Sequence, residues 1–163
     1  MECRYILDAN IFIEAKNNAF PFDIVPSFWE HLLEHAQNNN FFLIQEVINE
    51  ICQGEDNLSA WLKANISSFA ILPNTEQMYR AATDVSTYIV QNSHYLDSAK
   101  NEFLAVADFY LVSYALAHGC VVVTNEKINL ESKKRVLIPN VCRHFNVPCI
   151  DRNQFLRDIN FAI

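Results

Sequence analysis

Glycine is nearly missing from this sequence: its 163 residues include only Gly54 and Gly119. Two isolated glycines build neither a G-x-G-x-x-G dinucleotide turn nor a Gly-rich phosphate loop, so nucleotide cofactors held in those ways are excluded. Long apolar runs are missing too. No stretch reaches the roughly 18 residues of a membrane span, and the short apolar segment Tyr5 to Leu7 runs straight into Asp8. Neither a secretion signal nor an anchor is expected. No C-x-x-C pair occurs. The five cysteines, Cys3, Cys52, Cys120, Cys142 and Cys149, are odd in number and three lie in apolar segments, which fits a reduced, cytoplasmic compartment. Basic residues are scarce as well: twelve Lys and Arg against nineteen Asp and Glu give a net charge of -7. That balance argues against nonspecific nucleic-acid binding through a basic coat. The sum includes every carboxylate of any metal site, however, and each divalent ion bound there offsets two negative charges.

What the chain does have is 51% hydrophobic content, enough to bury one core at this length, with no linker that would separate two. A single domain over residues 1–163 is expected. Short β-type runs at 4–7, 41–44, 70–72, 120–124 and 147–150 alternate with helical patterns, the signature of βαβ units and a mainly parallel sheet. A helix opens at Pro26-Ser27 and carries Phe28, Trp29, Leu32, Leu33 and Ala36 on one face; further helices are predicted at 45–53, 57–66, 75–94, 104–118, 140–145 and 152–159. The stretch from Thr75 to Ala117 holds two helical patterns without a strand, bent near Asp97-Ser98, and reads as a helical insert. Phe155, Leu156 and Ile159 share a face, so the C-terminal helix should dock.

Four carboxylates stand out by position. Asp8 ends an apolar strand, and open parallel sheets bind ligands at the carboxyl ends of their strands; the alternative is a plain helix cap. Asp108 is the only charge in the apolar run 103–117. Burying an unpaired carboxylate costs several kcal/mol, and no cation lies one turn away, so its partner must come from elsewhere in the fold. The alternative is an N-cap for a helix starting at Phe109. In Gln45 to Ile51, Glu50 falls on the border of the apolar face, with Glu46 farther towards solvent; an ordinary exposed helix glutamate is the competing reading. Glu126 lies just past the strand pattern Cys120 to Thr124. Thr124 and Asn10 can support ligands or water at the two strand ends.

Together these segments resemble the PIN-domain nuclease superfamily: L-D-A-N-I-F-I for the first Asp, V-I-N-E-I for the helix Glu, A-D-F-Y-L-V-S-Y-A for the helix Asp, and V-V-V-T-N-E for the strand-end acid. The resemblance spans residues 4–150. Within the superfamily it looks like the VapC-like toxins of type II toxin-antitoxin pairs, particularly a group with F-W-x-x-L (Phe28 to Leu32), W-L-K (Trp61 to Lys63) and I-P-x-V-C (Ile138 to Cys142) segments. Glu126 departs from the Asp that many PIN domains carry. The resemblance implies an α/β, three-layer fold with a mainly parallel sheet of about five strands and helices on both faces. It also implies Mg2+ or Mn2+ held by Asp8, Glu50, Asp108 and Glu126, an RNA substrate, an antitoxin protein as partner, and a homodimer.

The chemistry suits those residues. Oxygen-only ligands select hard cations, and divalent ions turn a site that would repel a phosphodiester into one that polarises it. Clustered carboxylates repel one another, so at least one should bind its proton more tightly when no cation is present. Lys127, Lys133, Lys134 and Arg135 follow the fourth acid closely and are candidate contacts to an RNA backbone; a solvated loop is the alternative. Two other motifs compete. His31-Leu32-Leu33-Glu34-His35 matches the H-x-x-E-H zinc-peptidase pattern, on a helix that must also bury Trp29 and Leu32. Cys142, His144 and Cys149 can be drawn as a metal group, although the cysteines also suit core packing. A PIN-like module that binds RNA or protein without catalysis is the alternative from another class.

Overall fold

In a computed structural model that describes residues 5–163, the strands are β1 (Tyr5–Leu7), β2 (Phe42–Leu43), β3 (Ala70–Ile71), β4 (Val121–Val123) and β5 (Cys149–Ile150). They form one sheet in the order β3-β2-β1-β4-β5 with every pairing parallel. Each predicted strand is present, β2 to β5 shorter than their apolar runs, and Arg4 of the first run lies outside the described residues. Burial explains the composition: Ile6, Leu7, Phe42, Leu43, Val122 and Val123 are all essentially inaccessible. Strands covered on both faces read as continuous apolar runs because neither face meets water.

The helices between them are α1 (Ala9–Glu14), α2 (Pro26–Gln37), α3 (Gln45–Cys52), α4 (Asn57–Ala64), α5 (Glu76–Gln91), α6 (Asp97–Ala105), α7 (Ala107–His118), α8 (Ile138–His144) and α9 (Arg152–Asp158). A π-helical turn at Ala15–Ala19 continues α1. Capping follows the sequence: Asp56, Thr75 and Asp151 accept from the N–H groups of Ser59, Met78 and Gln154, and Pro26 takes the first turn of α2 where its missing N–H costs nothing. The fold is thus the α/β three-layer arrangement that the sequence predicted.

One expectation is corrected with consequences for function. Residues 104–118 are not one continuous buried helix. The chain breaks at Val106, which adopts extended backbone (φ -117, ψ 172) between α6 and α7. The supposed bend at Asp97-Ser98 is instead the start of α6, so the region after Thr75 holds three helices rather than two. Periodicity missed the break because apolar residues continue through it on both sides. The break moves Asp108 from mid-helix to the first turn of α7, half-buried rather than enclosed.

The motifs that competed with the acids are used in packing. The His31 ring meets the Ala162 carbonyl, the His35 Nδ1 lies 2.7 Å from the Asn40 amide, and both rings pack on Phe161. They hold the C-terminal tail against α2. His144 stacks on Tyr88 with 3.7 Å between centroids, while the Cys142 thiol, pushed up chiefly by its hydrogen bond to Cys149 and by burial, stays protonated. Phe155 is buried and Leu156 and Ile159 half-buried, so α9 docks through the predicted face.

α7 ends at Gly119 in left-handed backbone (φ 68), with the Cys120 N–H returning to the Ala115 carbonyl at 3.0 Å. An added Cβ would meet nothing within 4 Å, so the cost of a side chain there is conformational alone. Gly119→Ala should therefore destabilise the chain by about 1 kcal/mol, lowering the melting temperature by roughly 3 °C; an unchanged melt would refute this account of the turn.

Candidate active site

β1 connects towards β2 on one side of the sheet, while its other neighbour is β4. The strand order reverses between β1 and β4, and such a switch point opens a crevice at the carboxyl ends of the strands. Asp8 and Thr124 are the first residues beyond those two ends. Their backbones extend the ladders: Asp8 N–H donates to the Val123 carbonyl at 3.0 Å, and Thr124 N–H to that of Ile150 at 3.0 Å.

Asp8 is 2% exposed. It occupies the N-cap position of α1, yet its side chain makes no capping hydrogen bond. Its Oδ2 instead accepts the Thr124 hydroxyl at 2.9 Å across the crevice. Burial raises its pKa to about 6; the Thr124 hydroxyl and the Asn10 backbone N–H oppose the rise, and the charges of Glu126 and Glu50 add to it. Asn10 thus faces Asp8 through its backbone, with its side chain exposed.

Asp108 reaches the same charge cluster from the first turn of α7. Burial, then the charges of Asp8, Glu126 and Glu50, push it up to about 7, and Arg135 pulls the other way. The opposing charge that the sequence could not locate is a guanidinium from the loop after β4, which acts on Asp108 at a distance while it pairs with Glu126. Glu50 is exposed, although partial desolvation of its carboxyl raises it too. Its neighbour Glu46 reverses the sequence reading: it is half-buried, with Oε2 shut from solvent and without a partner.

Glu126 is committed differently. Its Oε2 accepts from the Ile138 N–H at 2.8 Å and its Oε1 meets the Arg135 guanidinium at 3.3 Å, while its own N–H donates to the Thr124 hydroxyl at 3.1 Å. It ties the start of α8 to the end of β4 and contributes charge to the centre. Two residues to which the sequence reading gave no role complete this frame. Asn125 donates to Glu14 at 2.9 Å and accepts from the Arg152 N–H at 3.2 Å. Asn140, 5% exposed, holds both the N–H and the carbonyl of Asn129 at 3.0 and 2.7 Å. Only their burial in the fold reveals them. Lys127, Lys133 and Lys134 are exposed on the same loop.

Among the described residues, no three His, Cys, Asp or Glu side chains converge closely enough to ligate one ion together. The donors are nevertheless all oxygen, and magnesium retains waters while taking one or two carboxylates directly. Asp8 and Asp108, destabilised as anions by burial and by neighbouring acids, have the donor chemistry that such an ion requires.

An all-parallel sheet with acids gathered at the β1–β4 crevice defines an open α/β fold with a candidate site at its switch point. The chain belongs to the family described as Domain of unknown function (DUF4411), which matches residues 5–163. No curated protein matches it. Among solved structures, a chain of VapBC2 from Rickettsia felis, crystallised bound to a DNA fragment from their promoter, superposes with a TM-score of 0.58. Identity is 19%, and the match covers 90% of this chain and 97% of that one.

The raised carboxyls make stability depend on pH. Folded Asp8 and Asp108 hold protons more tightly than unfolded ones, so their stabilising contribution is complete below about pH 4 and is lost as pH rises through about 6 and 7. For Asp8 this amounts to on the order of 3 kcal/mol. With chelator present, the melting temperature should fall between pH 5 and 7.5, and Asp108→Asn should flatten the fall. A level profile in the parent would contradict the burial of these charges.

Proposed function

We propose that the chain is a metal-dependent endoribonuclease and the toxin of a toxin-antitoxin pair. The observation that carries this reading is the cluster at the switch point, where Asp8 and Asp108 are each raised by burial and by the other acids. A fold without catalytic use for them has no physical reason to keep these charges together beside a buried carboxylate. The VapBC2 likeness supports the toxin role and an antitoxin protein as partner. A homodimer and a cytoplasmic location complete the proposal.

Asp8 and Asp108 would hold Mg2+ or Mn2+ directly, Glu50 through water. The chemistry supplied by such an ion, when bound, would be charge neutralisation, polarisation of a phosphoryl oxygen and activation of water. The protein's own part is positioning. The Thr124 hydroxyl fixes the Asp8 carboxylate, the N-terminal turn of α7 aims Asp108, and burial around Asp8 excludes bulk water. Glu126 holds Arg135 beside Asp108, where the guanidinium is available to a phosphate. Lys127, Lys133 and Lys134 offer further contacts to the RNA backbone.

The engagement of both Glu126 oxygens favours a second reading, a PIN-like module that binds RNA or protein without cutting it. One assay decides between them. Purified protein is incubated with RNA and with DNA, with magnesium, manganese or chelator, beside Asp8→Asn and Asp108→Asn. Metal-dependent cleavage of RNA is expected, reduced at least 100-fold in either variant, whereas Glu126→Gln should lose less because it still caps α8. Cleavage insensitive to chelator, or variants as active as the parent, would overturn the ribonuclease reading.

A further inference from the structure

Two cavities flank the carboxylate centre, and their linings differ in charge. One, of about 350 Å³, lies beyond Glu50 and is lined by Glu46 and Glu50 with no Lys or Arg. It repels a phosphate. The other, of about 500 Å³, lies between the ends of β4 and β5 and the helix α8, and Thr124 and Glu126 of the acid centre form part of its wall. Its volume falls within the roughly 300–1,000 Å³ of small-ligand sites. Ile128, Pro139, Val147 and Ile150 supply its apolar lining, and Lys127 and Arg143 are its cations.

Both cations are exposed, and neither enters an ion pair among the described residues. The two carboxylates of the lining are already engaged: Glu126 by Arg135 and the Ile138 N–H, and Asp151 by the Gln154 N–H at 2.8 Å. Ile128 remains 49% exposed, apolar surface that a planar ring would cover.

We propose that this cavity is a nucleotide subsite: it takes the nucleotide next to the scissile bond, its base against the apolar wall and its phosphate on Lys127 and Arg143. The proposal rests on the ribonuclease reading for the polynucleotide, and it sets the direction in which that strand leaves the centre, towards β5. The lining has no aromatic ring and few fixed donors, so contact with the base is by van der Waals packing. All four bases should be accepted.

Cys149 lines the cavity and provides a readout independent of cleavage. With chelator present, the full chain is alkylated and modification of Cys149 is followed by peptide mass analysis, with Cys52 on α3 as internal reference. Millimolar nucleoside 5′-monophosphates should slow labelling of Cys149 at least threefold and leave Cys52 unchanged, while inorganic phosphate should not protect. Lys127→Ala with Arg143→Ala, and separately Ile128→Asp, both surface changes, should abolish the protection. The same variants should raise KM for RNA at least fivefold with kcat within twofold of the parent. Absence of protection by nucleotides, or equal protection by phosphate alone, overturns the subsite. If nucleotides protect but RNA is never cut, the subsite stands and the ribonuclease reading falls. If RNA is cut while protection and KM are indifferent to these variants, the reverse holds.

Discussion

The Thr124 hydroxyl donated to the Asp8 carboxylate, across the crevice between β1 and β4, is the contact around which the rest of the centre is arranged. A carboxylate that is 2% exposed cannot stay charged without donors, and this hydroxyl from the end of β4 is joined by the facing N–H of Asn10 in the first turn of α1. The same Thr124 oxygen receives the Glu126 N–H, and Glu126 in turn caps α8 and holds Arg135. One short chain of hydrogen bonds thus links the sheet, the loop after β4 and the next helix to a single buried charge.

The second constraint is the break at Val106. A continuous helix would carry Asp108 among apolar side chains with no donor at hand. Starting α7 at Ala107 places the carboxylate in the first turn, where open backbone N–H groups and the helix dipole favour a negative charge. It also brings Asp108 within the influence of Arg135. The charge is tolerated there, but not relaxed, as its rise towards neutrality shows. A site strained in this way stands to gain from a cation.

Much of the frame was legible in the residues. Strands buried on both faces must be apolar throughout, so β1 and β4 were marked by composition, and the acids at their ends by the change to polar residues. The helical faces of α2 and α9 followed from spacing, since 3.6-residue periodicity records which side meets the core. The acids were harder to rank. Glu46 and Glu50 lie one turn apart on α3, and only packing against α7 decides which of them is the more exposed. Asn125 and Asn140 look like ordinary loop and helix polar residues, because their role depends on groups 11 to 111 positions away in the chain.

By itself, then, the sequence determined the α/β class, the strands, most helices and the four candidate acids, because burial and periodicity are local demands written residue by residue. Tertiary structure alone decided the strand order that opens a crevice between β1 and β4, the break that turns Asp108 towards it, and the commitment of Glu126 to α8 and Arg135. Each of these depends on which distant groups meet once the core has closed. Local pattern carries no record of such meetings.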